Sequence, residues 1–291
     1  MKPTTDVPRR ARVRLAHAAV QHVADACAAD ILHLKGAAID PALPVESRTG
    51  TDADVLVRPS QVSLLLGQMQ RHGWVLRTTF RDGSPFEHAA TLSHSVWGFA
   101  DVHRIFPGIT APPDRAFETL WSGRAEHVIA GRSCPVPSQA AQATILTLNA
   151  ARSHAHGRAD LEAVWQDAGP ERRREIRALV GELGAEVALA AATGALEDHR
   201  GDREYALWRV TTQGGTRIAE WRARIAAAGT GRQAVRLALR APLVNVAHLE
   251  ARLGRTPNRL EVLREFVARP VRGIAEEITV RRERRGVGRT G

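Results

Sequence analysis

The sequence predicts an α+β fold in which a mixed sheet with flanking helices is followed by an all-helical C-terminal domain. Two observations support this prediction. Between residues 30 and 136, short runs rich in β-branched and aromatic residues alternate with helical segments, and Gly and Pro separate them. From Ser138 onward, Ala, Leu, Arg and Glu dominate, with apolar residues at helical spacing. We therefore predict an α/β domain over 1–137, a helical domain over 138–280 and a basic flexible tail over 281–291.

The first elements are a helix and a short strand. Apolar residues at alternating spacings of three and four predict a helix over 10–29 with one apolar stripe, formed by Val13, Ala16, Val20, Val23 and Cys27. ILHL (31–34) is typical of a short buried strand. Lys35 and Gly36 interrupt it, and the following GAAID predicts a helical turn that ends before Pro41.

The remaining elements follow in the same way. ADVLV (53–57) predicts a strand, and Ser60 is a suitable N-cap for a helix that ends near Gly73. Extended segments are predicted at VLRTTF, FEHAATL and SVWGFADVHRIF, and a hairpin is predicted at AEHVIAGRSCPV, with its turn at Ala130 and Gly131. Helices are predicted at 138–155, 158–168, 170–195, 203–210, 216–228, 231–241, 244–253 and 258–268.

Composition excludes several classes of protein. The 291 residues are 44% hydrophobic and 25% charged, which is typical of a globular chain rather than of a disordered one. Cys27 and Cys134 are too few for a disulfide framework, and they form no paired metal-ligand motif. The N-terminus has no continuous apolar segment of the signal-peptide kind, and we find no run of about 18 apolar residues that would span a membrane. We therefore expect a cytoplasmic protein.

Two acidic residues at the start of a predicted strand are the first candidate site. Side chains alternate between the faces of a strand, so Asp52 and Asp54 share one face while Ala53 and Val55 point into the core. Two carboxylates so close repel each other unless a cation or a proton lies between them. A hard ion such as Mg²⁺ takes carboxylate oxygens together with substrate phosphates. The pair therefore indicates a metal site, although D-x-D also occurs in many surface loops.

A third carboxylate, Asp101, lies in the strand-like run VWGFADVHRIF. Alternation places it on one face with Trp97, Phe99 and His103. A carboxylate on an otherwise apolar strand needs a partner. Either Asp101 joins the acidic pair at a metal, or it pairs with a nearby Arg or His. We expect His103 to support the site rather than to bind metal.

A phosphate-binding turn is predicted where the first strand ends. Backbone N–H groups at a helix start favour anions, and the turn at Gly36 would present them. Lys35 adds a point charge suited to phosphate, and Arg48 is a second cation near Asp52. Alternatively, Gly36 only allows the chain to turn.

Taken together, these motifs resemble the uncharacterised bacterial nucleotidyltransferases, a group within the polymerase-β-like nucleotidyltransferase superfamily. The matching segments, in order, are LKGAAI, RTGTDADVLV, QVSLLLGQMQRHGW and ADVHRIF, which cover about residues 30 to 110. The resemblance implies a polymerase-β-like nucleotidyltransferase fold and a two-metal-ion enzyme. It implies that Asp52, Asp54 and Asp101 bind Mg²⁺, with Mn²⁺ as an alternative, and that Asp101 assists deprotonation of the acceptor.

The resemblance also implies a reaction. A nucleoside triphosphate (NTP) would donate its nucleoside monophosphate to a hydroxyl or phosphate acceptor, with release of pyrophosphate, and Lys35, Gly36 and Arg48 would bind the NTP. The acceptor is left open between a small molecule, a peptide or protein, and RNA. One residue departs from the pattern. The superfamily usually has Ser or Gly after the glycine of the phosphate turn, where this chain has Ala37.

Two other functions fit parts of the sequence. A D-x-D glycosyltransferase would hold a nucleotide sugar through manganese, but such folds need several βα units before the motif, and here only one strand precedes it. A non-catalytic nucleotide- or nucleic-acid-binding module would use basic surfaces. Candidates for these are the tail, with five arginines and one glutamate, and the helical stripe of Arg232, Arg236 and Arg240.

Overall fold

A computed structural model of the chain describes residues 7–45, 50–81, 84–153, 157–241, 243–244, 246–268, 272–273 and 277. Arg48 and the basic tail at 281–291 lie outside the described residues. The chain divides into two compact units, Met1–Gly194 and Ala195–Gly291.

The first unit is built on a five-stranded mixed sheet. Its strands are β1 (Ile31–His33), β2 (Asp52–Val57), β3 (Val75–Thr78), β4 (Ala89–His94) and β5 (Gly98–His103). Their order in the sheet is β1-β2-β5-β4-β3. Only β2 and β5 run parallel; the other neighbours are antiparallel. The predicted mixed sheet with flanking helices is therefore confirmed.

Helices α1 (Arg9–Ala26) and α2 (Val62–Arg71) contribute to the main hydrophobic core. The stripe predicted on α1 supplies Ala16, Val20 and Val23 to this core. Strand β2 contributes its alternate residues Ala53, Val55 and Val57. The opposite face of β2 therefore carries Asp52 and Asp54, as strand alternation predicts.

Three local predictions need correction. Ser60 lies in a 3₁₀ turn (Pro59–Gln61) that precedes α2, and it does not cap that helix. A helix α3 (Pro113–Ser122) forms where no element was predicted; it starts with Pro113, at a helix position where the missing N–H costs nothing. The single helix predicted over 170–195 is two helices, because Gly184 takes a left-handed conformation (φ 61°) that ends the first.

A small hairpin and a buried helix complete the surroundings of the site. Strands β6 (Ala125–Ile129) and β7 (Arg132–Val136) pair as predicted, with the turn at Ala130 and Gly131. Helix α4 (Gln139–Ala150) is capped by the hydroxyl of Ser138, which accepts a hydrogen bond from the Ala141 amide. The rest of the first unit is α5 (Gly157–Leu161), a π-helical turn (Glu162–Gln166), α6 (Pro170–Leu183) and α7 (Glu186–Thr193).

The change from strand-like to helical sequence at 137, where we predicted a domain boundary, lies inside the first unit. Helices α4 to α7 belong to that unit, together with the sheet, and the division of the chain falls after Gly194. The sequence signal at Ser138 marks a change from strands to helices. It does not mark the end of a packed core, which depends on contacts that the local pattern does not contain.

The second unit is helical, as predicted for this part of the chain. It contains α8 (Tyr205–Gln213), α9 (Arg217–Ala226), α10 (Gly231–Arg240) and α11 (Val246–Leu253), and residues 259–268 are also helical. Trp208, Leu237 and Leu249 are buried. Across the described residues of both units, every helix is too short or too polar to cross a membrane.

Candidate active site

The parallel pairing of β2 with β5 creates the candidate site. In this register the Cα atoms of Asp54 and Asp101 are direct partners, and Asp52 is the partner of Phe99 two positions earlier. On β5, Ala100 and Val102 belong to the core, so Asp101 lies on the face opposite to the core, as Asp54 does on β2. Two carboxylates that are 47 positions apart in sequence are thereby neighbours in the sheet.

Asp54 is buried and is held in place by two side chains. Its Oδ1 atom lies 2.9 Å from Lys35 Nζ and 2.9 Å from His103 Nε2, and only 7% of the residue is exposed. Burial raises the pKa of Asp54, but the charge of Lys35 and the contacts with His103 outweigh burial and hold this pKa below its ordinary value. Asp54 is therefore ionised, and it accepts the hydrogen bond from His103.

Asp101 is oriented by a threonine from the next strand. Thr91 is its partner across β4 and β5, and the Thr91 hydroxyl donates a hydrogen bond of 2.7 Å to Asp101 Oδ1. One potential ligand atom from each of Asp54, Asp101 and His103 lies within 4.8 Å of the other two. Thr91 and this cluster therefore provide polar surroundings for Asp101.

Asp52 begins β2 at the edge of the cluster. Burial and the negative charges of Asp54 and Asp101 raise the pKa of Asp52 to about 6, against an opposing effect of Lys35. The Thr51 hydroxyl donates a 3.2 Å hydrogen bond to Asp52 Oδ1. Carboxylates that raise one another's pKa in this way gain from a bound cation.

The residues present fit a divalent cation. Asp54 and Asp101 supply oxygen atoms within one ligand-sized cluster, and Asp52 precedes Asp54 on the same face of β2. His103 Nε2 donates its hydrogen bond to Asp54 and lies in the same cluster of potential ligand atoms. Its Nδ1 atom is buried and has no hydrogen-bond partner among the described residues.

The predicted phosphate turn leads out of β1. Gly36 starts a 3₁₀ turn (Gly36–Ala38) with φ 62°, a conformation that residues with a side chain rarely adopt. A Cβ atom at Gly36 would meet nothing within 4 Å, so backbone conformation rather than space requires glycine there. Ala37 packs against a small buried cluster that includes Ile129 and Cys134 of the hairpin.

One cavity of about 1200 Å³ connects these features. Its lining includes Lys35 and Gly36 from the turn, Asp52 and Asp54 from β2, and Asn149 from α4. The acidic pair Asp52 and Asp54 and the candidate phosphate turn therefore open into one space.

The sequence analysis missed two residues beside the acids. The Arg152 guanidinium donates a 3.1 Å hydrogen bond to His88 Nε2, and its charge interacts with those of Asp54 and Asp101. Because a guanidinium group can only donate hydrogen bonds, His88 Nε2 is the acceptor and the proton of the neutral imidazole is on Nδ1. This Nδ1 atom is buried without a hydrogen-bond partner among the described residues. Burial is the main reason that the pKa of His88 falls to about 2. A sequence signal for either residue was lacking, because each comes from a segment far from the D-x-D motif.

A buried polar network lies between α1 and β1. His17 Nδ1 is 2.8 Å from His33 Nδ1, and His33 Nε2 is 2.9 Å from Gln21 Oε1. Burial lowers the pKa of His17 to about 4 and that of His33 well below its ordinary value. Both histidines are therefore neutral at pH 7. The network fixes α1 against the strand that leads into the Lys35 turn.

Comparison with known families agrees with the fold and the motifs. A family model described as "Uncharacterised nucleotidyltransferase" matches residues 9–199, which is most of the chain and includes every candidate site residue named above. The chain belongs to this family. The recognition made from the sequence motifs is thereby confirmed, and so is the assignment of this protein to the nucleotidyltransferases. Comparison with curated proteins gives no match.

Three solved structures are similar to parts of the chain. The lincosamide antibiotic adenylyltransferase LnuA, in its lincomycin-bound crystal structure, is 16% identical and has a TM-score of 0.34 over 57% of this chain and 94% of its own. The antibiotic-resistance factor ANT(2'')-Ia is 18% identical, with a TM-score of 0.38 over 65% and 96%. An antigenic nucleotidyltransferase-like protein from Paracoccidioides brasiliensis is 14% identical, with a TM-score of 0.35 over 65% and 92%.

Proposed function

We propose that this protein is a Mg²⁺-dependent nucleotidyltransferase that moves a nucleoside monophosphate from an NTP to a hydroxyl or phosphate acceptor and releases pyrophosphate. The observation that supports the proposal best is the β2–β5 register, which sets Asp54 beside Asp101. Family membership supports the reaction class, and the arrangement of acids with Lys35 supports the choice of metal and of triphosphate.

In this proposal Asp52, Asp54 and Asp101 hold the divalent cation, with Mn²⁺ as a substitute. A bound cation supplies neutralisation of the charge on the reacting phosphate. Asp101, oriented by Thr91, takes the proton of the acceptor hydroxyl. The acceptor oxygen then bonds to the α-phosphorus while the bond from that phosphorus to pyrophosphate breaks.

Lys35 has two partners in the proposed cycle. One is Asp54, with which its ammonium group is paired. With a cation held at Asp54, Lys35 would be less strongly bound to that carboxylate and would turn to the phosphates in the shared cavity. Gly36 presents the backbone N–H groups of the turn to the same phosphates, and Arg48 adds a further cation.

The acceptor in this proposal is a small molecule, a peptide or protein side chain, or an RNA end. The experiment that tests the function incubates the purified protein with Mg²⁺, each of the four NTPs labelled at the α-phosphate, and fractions of a cell extract. A parallel set carries the label at the γ-phosphate. We expect label transfer to one fraction from the α-labelled NTP only, because the γ-phosphate leaves as pyrophosphate.

Asp54→Asn is the decisive variant, and Asp114→Asn is its matched control, since Asp114 is an exposed acid on α3. We expect labelling by the wild type and by Asp114→Asn, and none by Asp54→Asn. Equal labelling by all three would remove Asp54 from the mechanism. If Mg²⁺-ATP raises the melting temperature but no acceptor fraction yields pyrophosphate, the protein is a binding module and the proposal is wrong.

A further inference from the structure

Helix α1 places positive charge in the cavity that contains the acids. Arg9, Arg10 and Arg14 line this cavity together with Lys35. Arg12, on the same helix, lies beside Gly98 and is not part of the lining. The arginine-rich start of α1 therefore separates into a set that faces the cavity and one residue that does not.

The stability of the helix does not explain these arginines. The first turn of α1 contains no acidic residue, and cations at this end of a helix oppose its dipole. Within the described part of the chain, Arg9 and Arg14 have no acidic partner within 4.0 Å. Their charges are therefore available to an anion that enters the cavity.

The arginines are connected to the catalytic strands through one face of α1. Arg10, Arg14, His17 and Gln21 follow one another at spacings of four, three and four, so they lie on one stripe of the helix. At the C-terminal end of this stripe, His17 and Gln21 belong to the buried network with His33, which precedes Lys35 by two residues. The charges of Asp54 and Arg14 act on His17 in opposite directions, since Asp54 raises its pKa and Arg14 lowers it.

We propose that Arg14, together with Lys35, binds the β- and γ-phosphates of the NTP. This inference rests on the proposed function. Guanidinium groups suit the purpose, because they stay charged and form bidentate hydrogen bonds with phosphate oxygens. They replace the serine hydroxyl that this chain lacks at Ala37, whose methyl group packs towards the hairpin. Binding of the triphosphate therefore depends on a helix that precedes the recognised motif.

The test measures binding of inorganic tripolyphosphate to the full chain by isothermal titration calorimetry, with and without Mg²⁺. Loss of one charge-assisted contact weakens binding about tenfold. We expect Arg14→Gln to raise the dissociation constant about tenfold. Arg12→Gln makes the same change of charge on the same helix, and we expect wild-type affinity for it.

Binding of tripolyphosphate by Arg14→Gln with wild-type affinity would overturn the proposal. So would loss of affinity for a poly-uridine oligonucleotide with tripolyphosphate binding intact, which would assign the arginines to a nucleic-acid backbone. Failure of the proposed function has a different result. If no acceptor is labelled but tripolyphosphate binds in an Arg14-dependent way, the phosphate subsite stands and only the transfer reaction is wrong. If transfer occurs, we expect Arg14→Gln to raise the KM for the NTP with little change in kcat.

Discussion

Acidification below pH 6.5 should destabilise this protein through His17. His17 is buried in the network between α1 and β1, and burial lowers its pKa from 6.5 to about 4 in the folded chain. Above pH 6.5 the imidazole is neutral in both the folded and the unfolded state, so it does not change the free energy of unfolding. Below pH 6.5 the imidazole binds a proton in the unfolded chain but not in the folded chain. The free energy of unfolding therefore falls until the pH reaches about 4.

The size of the effect follows from the shift in pKa. One proton bound on unfolding changes the free energy of unfolding by about 1.4 kcal/mol per pH unit. His17 alone therefore accounts for a loss of about 2 kcal/mol between pH 6.5 and 5. His33 and His88 act in the same direction, since burial lowers the pKa of each. Asp52 acts oppositely, because its raised pKa makes the folded state bind a proton between about pH 6 and 3.8.

The variant His17→Asn isolates one of these contributions. An amide keeps hydrogen-bonding capacity towards His33 but does not titrate. We expect the variant to be less stable than the wild type at pH 7.5 and to lose about 2 kcal/mol less between pH 6.5 and 5. His22→Asn, on the exposed side of the same helix, controls for substitution in α1.

The assay is hydrogen exchange of the backbone amides in β2 and β5, in the presence of a chelator, from pH 7.5 to 5. These strands report on the first unit alone. If His17→Asn and the wild type lose equal stability over this range, His17 binds a proton as readily in the folded protein as in the unfolded chain. That result would refute the conclusion that His17 is neutral in the buried network.

Three further predictions concern the site. Arg152→Met should lower kcat for nucleotidyl transfer about 100-fold in single-turnover kinetics, because it removes a cation held beside the acids. Thr91→Val should weaken Mn²⁺ binding, measured by electron paramagnetic resonance, at least tenfold, because it removes the hydroxyl that orients Asp101. Gly36→Ala should cost about 1 kcal/mol or more in thermal unfolding because of its left-handed φ of 62°, whereas Gly67→Ala, in the helix α2, should stabilise by up to about 1 kcal/mol.

Each of these has a clear contrary result. Single-turnover rates within twofold of wild type would remove Arg152 from the site. Unchanged Mn²⁺ affinity in Thr91→Val would mean that Asp101 does not depend on the hydroxyl for its orientation. Equal melting temperatures for Gly36→Ala and the wild type would show that the turn tolerates a side chain.

The sequence by itself determined the parts of this protein that depend on neighbouring residues. Helical and strand periodicity located α1, β2 and the hairpin, and strand alternation placed Asp52 and Asp54 on one face before any partner strand was known. The order of motifs then identified the family. These inferences succeed because the directions of successive side chains follow from local backbone geometry, which a short segment of sequence contains.

Tertiary structure alone decided which distant segments meet. The parallel pairing of β2 and β5 brings Asp101 to Asp54, and the antiparallel pairing with β4 brings Thr91 to Asp101. Arg152, which follows α4, places its charge near the acids. The first unit continues to Gly194, although the sequence pattern becomes helical at Ser138. Strand order and helix packing depend on burying apolar faces that are far apart in the chain. The pattern of any one segment does not contain that information.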